Sequence, residues 1–278
     1  MNLDTRSTTR SKPHLAYAIE GDRGPWVVLV MGLGMKGAAW RPQIEMLRET
    51  CRVVFFDNRG LGNSAPLDAE TSRFDMKTLG TDVVRLMDEL GIDRAHLGGV
   101  SLGGMISQHA ALDHADRFLS LTLIATHCGG PLTWLPPAPG IRHFLRAQRS
   151  RGQARLDAIE ALLYPSRFRE ETNRAELDER MRVSFGGPPH KRVQRLQLRA
   201  VLGHDTAGRL PSLRLPTQVI APDLDLLVRP SACRRLADLI PDARLHRIPD
   251  AGHGLIFQSA DAINRWMLDH FAACEAIA

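Results

Sequence analysis

The chain has few cysteines, few aromatic residues and no apolar run long enough to cross a lipid bilayer. Its four cysteines are Cys51, Cys128, Cys233 and Cys274. They form no CxxC pair and have no histidines at zinc-ligand spacing, so we expect reduced thiols in a cytoplasmic protein, without metal ion or cofactor. The longest apolar run, Trp26 to Met35, is far shorter than the roughly 20 residues of a membrane-spanning helix. Residues 1–13 lack the apolar core of a signal peptide and are expected to form a loosely ordered leader.

The charge of the chain is unevenly distributed. The formal net charge is +5. Between Arg142 and Arg199 there are 14 Arg and Lys against 7 Asp and Glu, so this segment carries +7 (14 − 7) and the remainder about −2 (5 − 7). Because no run of adjacent basic residues is present and aromatics are scarce, nucleic-acid binding is not expected. A solvated arginine-rich surface and a surface that attracts anionic substrates are the two interpretations.

Strand and helix patterns alternate along the first part of the chain and again near its end. "PWVVLVMG", "RVVFFD", "RAHLGGV" and "FLSLTLIAT" are strand-like, and helical patterns separate them. This alternation predicts an α/β fold with a mostly parallel sheet and crossover helices. After Thr126 a proline-rich boundary precedes a segment with only helical patterning. We therefore expect a core of residues 1–129 and 209–278, interrupted by a helical cap of residues 130–208.

A glycine-rich stretch, "GGVSLGG", surrounds Ser101 between a predicted strand and a predicted helix. Gly99-Val100-Ser101-Leu102-Gly103 fits the pattern G-x-S-x-G, in which a sharp turn exposes the serine hydroxyl and neighbouring glycines avoid a clash. An ordinary glycine-rich turn is the alternative, because the pattern alone is weak. Ser101 is our candidate nucleophile.

Three further stretches support this interpretation. "DAGHG" places His253 in a turn after a strand, where imidazole can act as the base that a serine hydroxyl needs. "APDLDLL" provides Asp223 and Asp225, one of which can orient the histidine. "MGLGMKG" can present the backbone N–H of Leu33, which together with that of Leu102 can bind a developing oxyanion.

The order Ser, Asp, His is that of α/β-hydrolases, and the chain resembles that superfamily from about His14 onward. The resemblance implies an eight-stranded, mostly parallel sheet flanked by helices, with an all-helical cap after the sixth strand. It implies Asp225 as the triad acid. It also implies that Asp57 and the residues after it in "DNRGLGNS" shape a turn and are not catalytic. The chain departs from its relatives at Met31, where they often carry histidine, and at Pro222, where they tend to carry glycine.

A serine nucleophile argues against the dehalogenase and epoxide-hydrolase branches, which use a carboxylate. The resemblance implies hydrolysis of a small-molecule ester or lactone through an acyl-enzyme, as in small esterases and enol-lactonases. Hydrolysis of a carbon–carbon bond on the same triad and a ligand-binding sensor with residual activity are the alternatives. Because the triad is generic, we expect a mobile cap to set specificity.

Overall fold

A single sheet of eight strands forms the centre of the molecule. The computed structural model describes residues 7–130, 133, 135–185 and 190–276. The strands are β1 (Ser7–Thr8), β2 (Ala16–Glu20), β3 (Trp26–Val30), β4 (Arg52–Phe56), β5 (Ala95–Val100), β6 (Phe118–Ile124), β7 (Thr217–Pro222) and β8 (Arg244–Ile248). Their order across the sheet is β1-β2-β4-β3-β5-β6-β7-β8. The β1–β2 and β2–β4 pairs are antiparallel and all other pairs are parallel. The predicted α/β fold with an eight-stranded, mostly parallel sheet is confirmed.

Helices cover both faces of this sheet. The described α-helices, including those of the segment between β6 and β7, are α1 (Arg41–Leu47), α2 (Met76–Glu89), α3 (Leu102–Asp113), α4 (Ala138–Arg149), α5 (Gly152–Leu163), α6 (Ser166–Glu171), α7 (Arg174–Phe185), α8 (Lys191–Leu202), α9 (Pro230–Leu239), α10 (Leu255–Gln258) and α11 (Ala260–Glu275). Apolar residues of α2, α3 and α9 pack on one face, and those of α1, α10 and α11 pack on the other. Among the described helices, none is both long enough and apolar enough to span a bilayer.

The central strands are apolar on both sides because both faces of the sheet are covered. In β3, Val28 and Val30 face the α2 and α3 side, whereas Val27 and Leu29 face the α1 and α11 side. All four side chains are fully buried. This explains why the strand reads as a continuous apolar run, "WVVLV", and not as an alternating one.

The expectation of a loosely ordered leader is wrong for the part of it that the structure describes. Ser7 and Thr8 pair with β2 at the edge of the sheet. The hydroxyl of Thr9 accepts a hydrogen bond from the N–H of Leu15 at 2.8 Å and donates one to the carbonyl of Pro13 at 3.1 Å. These bonds fix the segment although it has no apolar pattern. Residues 1–6 of the expected leader lie outside the described part of the chain.

The segment between β6 and β7 contains helices α4 to α8 and has a small apolar core of its own. That core includes Leu163, Tyr164, Leu177 and Met181, and Phe257 of α10 packs against it. Part of the proline-rich boundary at 131–137 falls outside the described residues. The helices lie where a helical cap was expected, and the boundaries at residues 130 and 208 stay a prediction.

Candidate active site

Ser101 lies in the turn between β5 and α3, where its backbone is strained. Its φ is 56° and its ψ is −119°, a conformation that non-glycine residues rarely adopt. The N–H of Ser101 donates to the carbonyl of Ile124 at 2.9 Å, and its carbonyl accepts from the hydroxyl of Thr126 at 2.8 Å. Both backbone polar groups are therefore held by β6 and the residues that follow it. Such a fixed outlier at a strand-to-helix turn is the geometry of a nucleophile elbow.

The glycines around Ser101 are required by close backbone contacts. A Cβ at Gly99 would lie 2.3 Å from the carbonyl oxygen of Gly103 and 2.5 Å from Oγ of Ser107. A Cβ at Gly103 would lie 2.0 Å from the carbonyl oxygen of Val30. No side chain fits at these separations, so the first turn of α3 can approach β3 and β5 only with glycine at both positions.

The loop after β3 packs directly against this elbow. A Cβ at Gly32 would lie 3.4 Å from the carbonyl oxygen of Val100 and 3.5 Å from Cβ of Ser101. Among the described residues, no protein acceptor takes the N–H of the next residue, Leu33. Leu102 is the first residue of α3, so its N–H has no acceptor inside the helix. The two candidate oxyanion donors thus belong to backbone segments on either side of Ser101.

Asn58 anchors this loop from the turn after β4. Its Nδ2 donates to the carbonyl of Met31 at 3.0 Å, and both residues are buried. In the same turn, Oδ1 of Asp57 accepts from the N–H of Gly37 at 2.7 Å and Oδ2 accepts from the N–H of Asn63 at 2.8 Å. The departure at Met31 therefore leaves the loop anchored, and Asp57 acts on backbone groups.

Asp225 and His253 form a buried hydrogen-bonded pair. Oδ2 of Asp225 lies 2.7 Å from Nδ1 of His253. Oδ1 of the same carboxylate accepts from the N–H groups of Leu227 at 2.6 Å and Val228 at 2.9 Å. Oδ1 thus binds the backbone of the acid loop, and only Oδ2 faces the histidine.

The sheet places Ser101 at the same edge as this pair. Asp225 follows β7 and His253 follows β8, and both strands run parallel to β5, which precedes Ser101. The carboxyl ends of parallel strands lie at one edge of a sheet, which is where α/β proteins carry their ligand sites.

Asp223 has a different partner. Its carboxylate binds the guanidinium of Arg247 on β8, with Oδ2 2.7 Å from Nη2 and Oδ1 3.2 Å from Nε. Pro222 is the last residue of β7, and the N–H of Asp223 still donates to the carbonyl of Ile248 at 3.0 Å. The acid loop turns away from the sheet only after Asp223, which is why the two aspartates point to different partners.

Two residues of the helical segment support the histidine loop, and neither carries a sequence motif that singles it out. A Cβ at Gly254 would lie 2.2 Å from Cε1 of Tyr164, so the tyrosine ring packs on the backbone beside His253. Arg180 donates through Nη1 to the carbonyl of Ala39 and lies 5.3 Å from the ring centre of Phe257. Burial raises the pKa of Tyr164, and the positive charge of Arg180 opposes this effect. Arg180 is buried and forms no ion pair among the described residues. Arg180 lies on α7, outside the sheet layers, and contacts both Ala39, which follows the loop after β3, and Phe257, which follows the loop of His253.

The thiol of Cys233 lies near the carboxylate of Asp225. Burial and then the charge of Asp225 raise the pKa of this thiol, and Sγ lies 3.1 Å from the carbonyl oxygen of Thr126. Cys233 is therefore protonated and acts as a hydrogen-bond donor. All four cysteines are unpaired and buried. Within the described ranges, no group of three His, Cys, Asp or Glu residues is arranged to hold a metal ion.

Comparison with known proteins assigns the family. The profile of the alpha/beta hydrolase fold matches residues 25–260. The chain belongs to the alpha/beta hydrolase family. It is 34% identical over 248 residues to a Caulobacter sp. (strain K31) protein assigned as the carbamate hydrolase RutD, covering 87% of this chain and 89% of that one. A similar protein from Variovorax paradoxus is 33% identical over 274 residues, covering 94% of this chain and 97% of that one.

Solved structures of this alpha/beta hydrolase family superpose over nearly the whole chain. The enol-lactonase of Burkholderia xenovorans LB400 is 28% identical, with a TM-score of 0.81 over 96% of this chain and all of that one. A meta-cleavage product hydrolase from Pseudomonas fluorescens IP01 also has a TM-score of 0.81, over 96% of this chain and 97% of that one. Its identity is 20%, so that likeness shows the fold alone. The chain is thus a hydrolase-fold protein whose relatives act on different bonds.

Proposed function

We propose that this hydrolase cleaves a carboxylic ester or lactone of a small molecule through an acyl-enzyme intermediate. Ser101 is the nucleophile, His253 the base and Asp225 the acid that orients it. The observation that carries the proposal is the 2.7 Å contact of Asp225 with His253 at the sheet edge where Ser101 sits in a strained elbow. The chemistry requires no cofactor and no metal ion. The unpaired cysteines favour a cytoplasmic location.

The proposed reaction proceeds in two halves. Oγ of Ser101 attacks the carbonyl carbon and its proton passes to Nε2 of His253, while Asp225 stabilises the resulting imidazolium. The tetrahedral intermediate collapses, the bond to the leaving oxygen breaks, and that oxygen takes the proton from His253. Water then attacks the acyl-enzyme with His253 again as base, which releases the carboxylic acid and restores Ser101.

The backbone N–H groups of Leu33 and Leu102 are proposed as the oxyanion donors. Fixed donors aimed at developing charge lower the barrier because they need no reorganisation during the reaction. The anchoring of the Met31 carbonyl by Asn58 and the close contact of Gly32 with Ser101 support this assignment, since they hold the loop rigidly beside the nucleophile.

We further propose that residues 130–208 act as a cap over a core of residues 1–129 and 209–278. In support, the helical segment supplies Leu163, whose carbonyl accepts the N–H of Gly254 at 2.9 Å next to His253. It also supplies Gln197, whose Oε1 accepts the N–H of Gly34 at 3.0 Å beside Leu33. The segment thus reaches both sides of the candidate site.

Carbamate hydrolysis is a second candidate, favoured by relatives that are assigned as carbamate hydrolases and are 34% and 33% identical. A carbamate presents a carbonyl that the same serine can attack: the alcohol leaves, and water then releases carbamic acid from the carbamoyl-enzyme in place of a carboxylic acid. The proposed residues serve both reactions, so only substrate turnover separates them.

The test measures covalent labelling of Ser101 and substrate turnover on the same protein preparation. Wild-type protein and Ser101→Ala are treated with a fluorophosphonate probe and assayed on a panel of short esters, lactones and carbamates. We expect the probe to label Ser101 alone and the variant to lose most of the turnover. Wild-type hydrolysis of esters by Ser101→Ala would refute the mechanism. Faster turnover of carbamates than of esters would select the second candidate, and labelling without turnover would favour a sensor.

A further inference from the structure

Most of the basic residues of the helical segment form no ion pair with the residues that the structure describes, so their position and not their lack of a partner distinguishes them. A few arginines are paired with carboxylates of their own helix or of a neighbouring one. They include Arg167 with Glu171, and Arg174 with both Glu160 and Asp178. The pairs of Arg167 with Glu171 and of Arg174 with Asp178 are ordinary surface features, whereas Glu160 is buried and its pair joins α7 to α5. Arg151, Arg155 and Lys191 form no ion pair with any residue that the structure describes.

These three unpaired cations line one cavity. It has a volume of about 550 Å³ and lies between the turn joining α4 to α5 and the ends of α7 and α8 that face it. The described wall also contains apolar groups such as Leu156 and Phe185, and it contains no Asp or Glu. The volume lies in the range of small-molecule sites in proteins. A cavity with cationic walls and no carboxylate attracts an anion.

Arg155 is the most enclosed of the three cations. It is partly buried, whereas Arg151 and Lys191 are exposed. Burial lowers the pKa of the Arg155 guanidinium, since its charge is removed from water without a compensating carboxylate. An unpaired guanidinium at the wall of a cavity offers donors in the fork that suits a carboxylate.

The cavity borders the loop that holds the candidate oxyanion donor. Gln194 lines the cavity, and its Nε2 would lie 2.8 Å from a Cβ at Gly34. One helical turn further along α8, Gln197 accepts the N–H of Gly34. Gln194 is therefore shared by the wall of the cavity and by the surroundings of the loop that contains Leu33.

We propose that this cavity binds a carboxylate carried by the substrate, with Arg155 as the principal contact, so that the hydrolase prefers acyl substrates with an anionic end. The inference rests on the proposed function, because it assigns the cavity to the substrate that Ser101 attacks. Arg151 and Lys191 add long-range attraction at the entrance, which salt screens.

The test compares p-nitrophenyl hydrogen adipate with the primary amide of the same ester, which has the same length and no charge. The variants are Arg155→Gln and, as a matched control, Arg167→Gln, which removes one positive charge from the same segment outside the cavity. Spontaneous hydrolysis is subtracted. We expect Arg155→Gln to lower kcat/KM for the anionic ester roughly tenfold and that for the amide less than about twofold, as suits the loss of one charge-assisted hydrogen bond. Arg167→Gln should change neither.

Binding of free adipate, measured by calorimetry at low salt, separates failure of this inference from failure of the proposed function. If the wild type hydrolyses neither ester, the ester-hydrolase proposal is wrong, and adipate binding that Arg155→Gln abolishes still supports the cavity. Equal effects of Arg155→Gln on both esters, equal effects of the two variants, or adipate binding unaffected by Arg155→Gln would each overturn the inference.

Discussion

Replacing Asp225 by asparagine tests how the proposed triad holds its histidine. In the native protein Oδ1 accepts two backbone N–H groups, from Leu227 at 2.6 Å and Val228 at 2.9 Å, and Oδ2 faces Nδ1 of His253 at 2.7 Å. Asparagine has one oxygen and one NH₂ group in these places. Its oxygen must stay on the two N–H donors, so its NH₂ group faces Nδ1. Nδ1 must then accept, and the proton of the neutral imidazole moves to Nε2, which can no longer take the proton of Ser101.

The size of the effect follows from the same contacts. Turning the amide to restore the productive tautomer would break two backbone hydrogen bonds, at about 1 to 1.5 kcal/mol each. A total of about 2 to 3 kcal/mol disfavours the productive tautomer roughly 30- to 150-fold. Loss of the carboxylate charge beside the imidazolium adds to this, and we expect kcat to fall by about four orders of magnitude in all.

The assay is kcat on a short p-nitrophenyl ester, with thermal unfolding measured on the same samples. Asp225→Asn preserves the size and most of the hydrogen bonds of the side chain, so its Tm should stay close to the wild-type value. Asp223→Asn is the matched control, because Asp223 binds Arg247. It should keep kcat within a few-fold. A loss of less than tenfold in Asp225→Asn, or an equal loss in Asp223→Asn, would refute the reasoning.

Three further predictions concern the elbow, the cap and acid stability. Gly99→Ala places a Cβ 2.3 Å from a backbone oxygen and should lower the free energy of unfolding, measured in urea, by about 1 to 3 kcal/mol. Gly208→Ala is the control, because no atom lies within 4 Å of its Cβ, and equal effects of the two variants would contradict the prediction. Arg180→Met should lower kcat roughly tenfold with little change in KM, because the loss of a charged hydrogen bond frees the loops that Arg180 joins. Arg180→Lys should restore part of kcat, and an unchanged kcat in Arg180→Met would exclude a positioning role. Burial lowers the pKa of His127 to about 4 and of His204 to about 3, so below about pH 6.5 the unfolded chain binds protons more readily than the folded one. The free energy of unfolding should therefore fall by roughly 2 kcal/mol per histidine between pH 6.5 and 5. A pH-independent free energy of unfolding over this range would contradict the assignment.

The fold and the glycine-rich turn at Ser101 could be predicted from sequence because both depend on local patterns. The strands of the sheet are short apolar runs bounded by turns, and the elbow requires glycines within two residues of Ser101. Strand β1 has only two residues and no apolar pattern, so its pairing with β2 was not predictable. The residues alone also left Asp223 and Asp225 as alternatives. Their partners depend on the path of the chain after β7, where the N–H groups of Asp223 and Leu224 donate to the carbonyls of Ile248 and Ala251.

The contacts between the helical segment and the core could not be predicted from the sequence, because they join residues that are far apart in the chain and that no motif marks. The N–H groups of Gly34, Lys36 and Gly254 donate to α8, α7 and α5, and Arg180 donates to the carbonyl of Ala39. Lifting the whole segment would break at least these four bonds, so at about 1 kcal/mol each an open state would hold no more than about one molecule in a thousand. The expected mobility of the cap is therefore costly. Helix α8 lines the basic cavity and also accepts the N–H of Gly34, so the anion proposed to bind in the cavity would contact the same helix that holds the loop after β3.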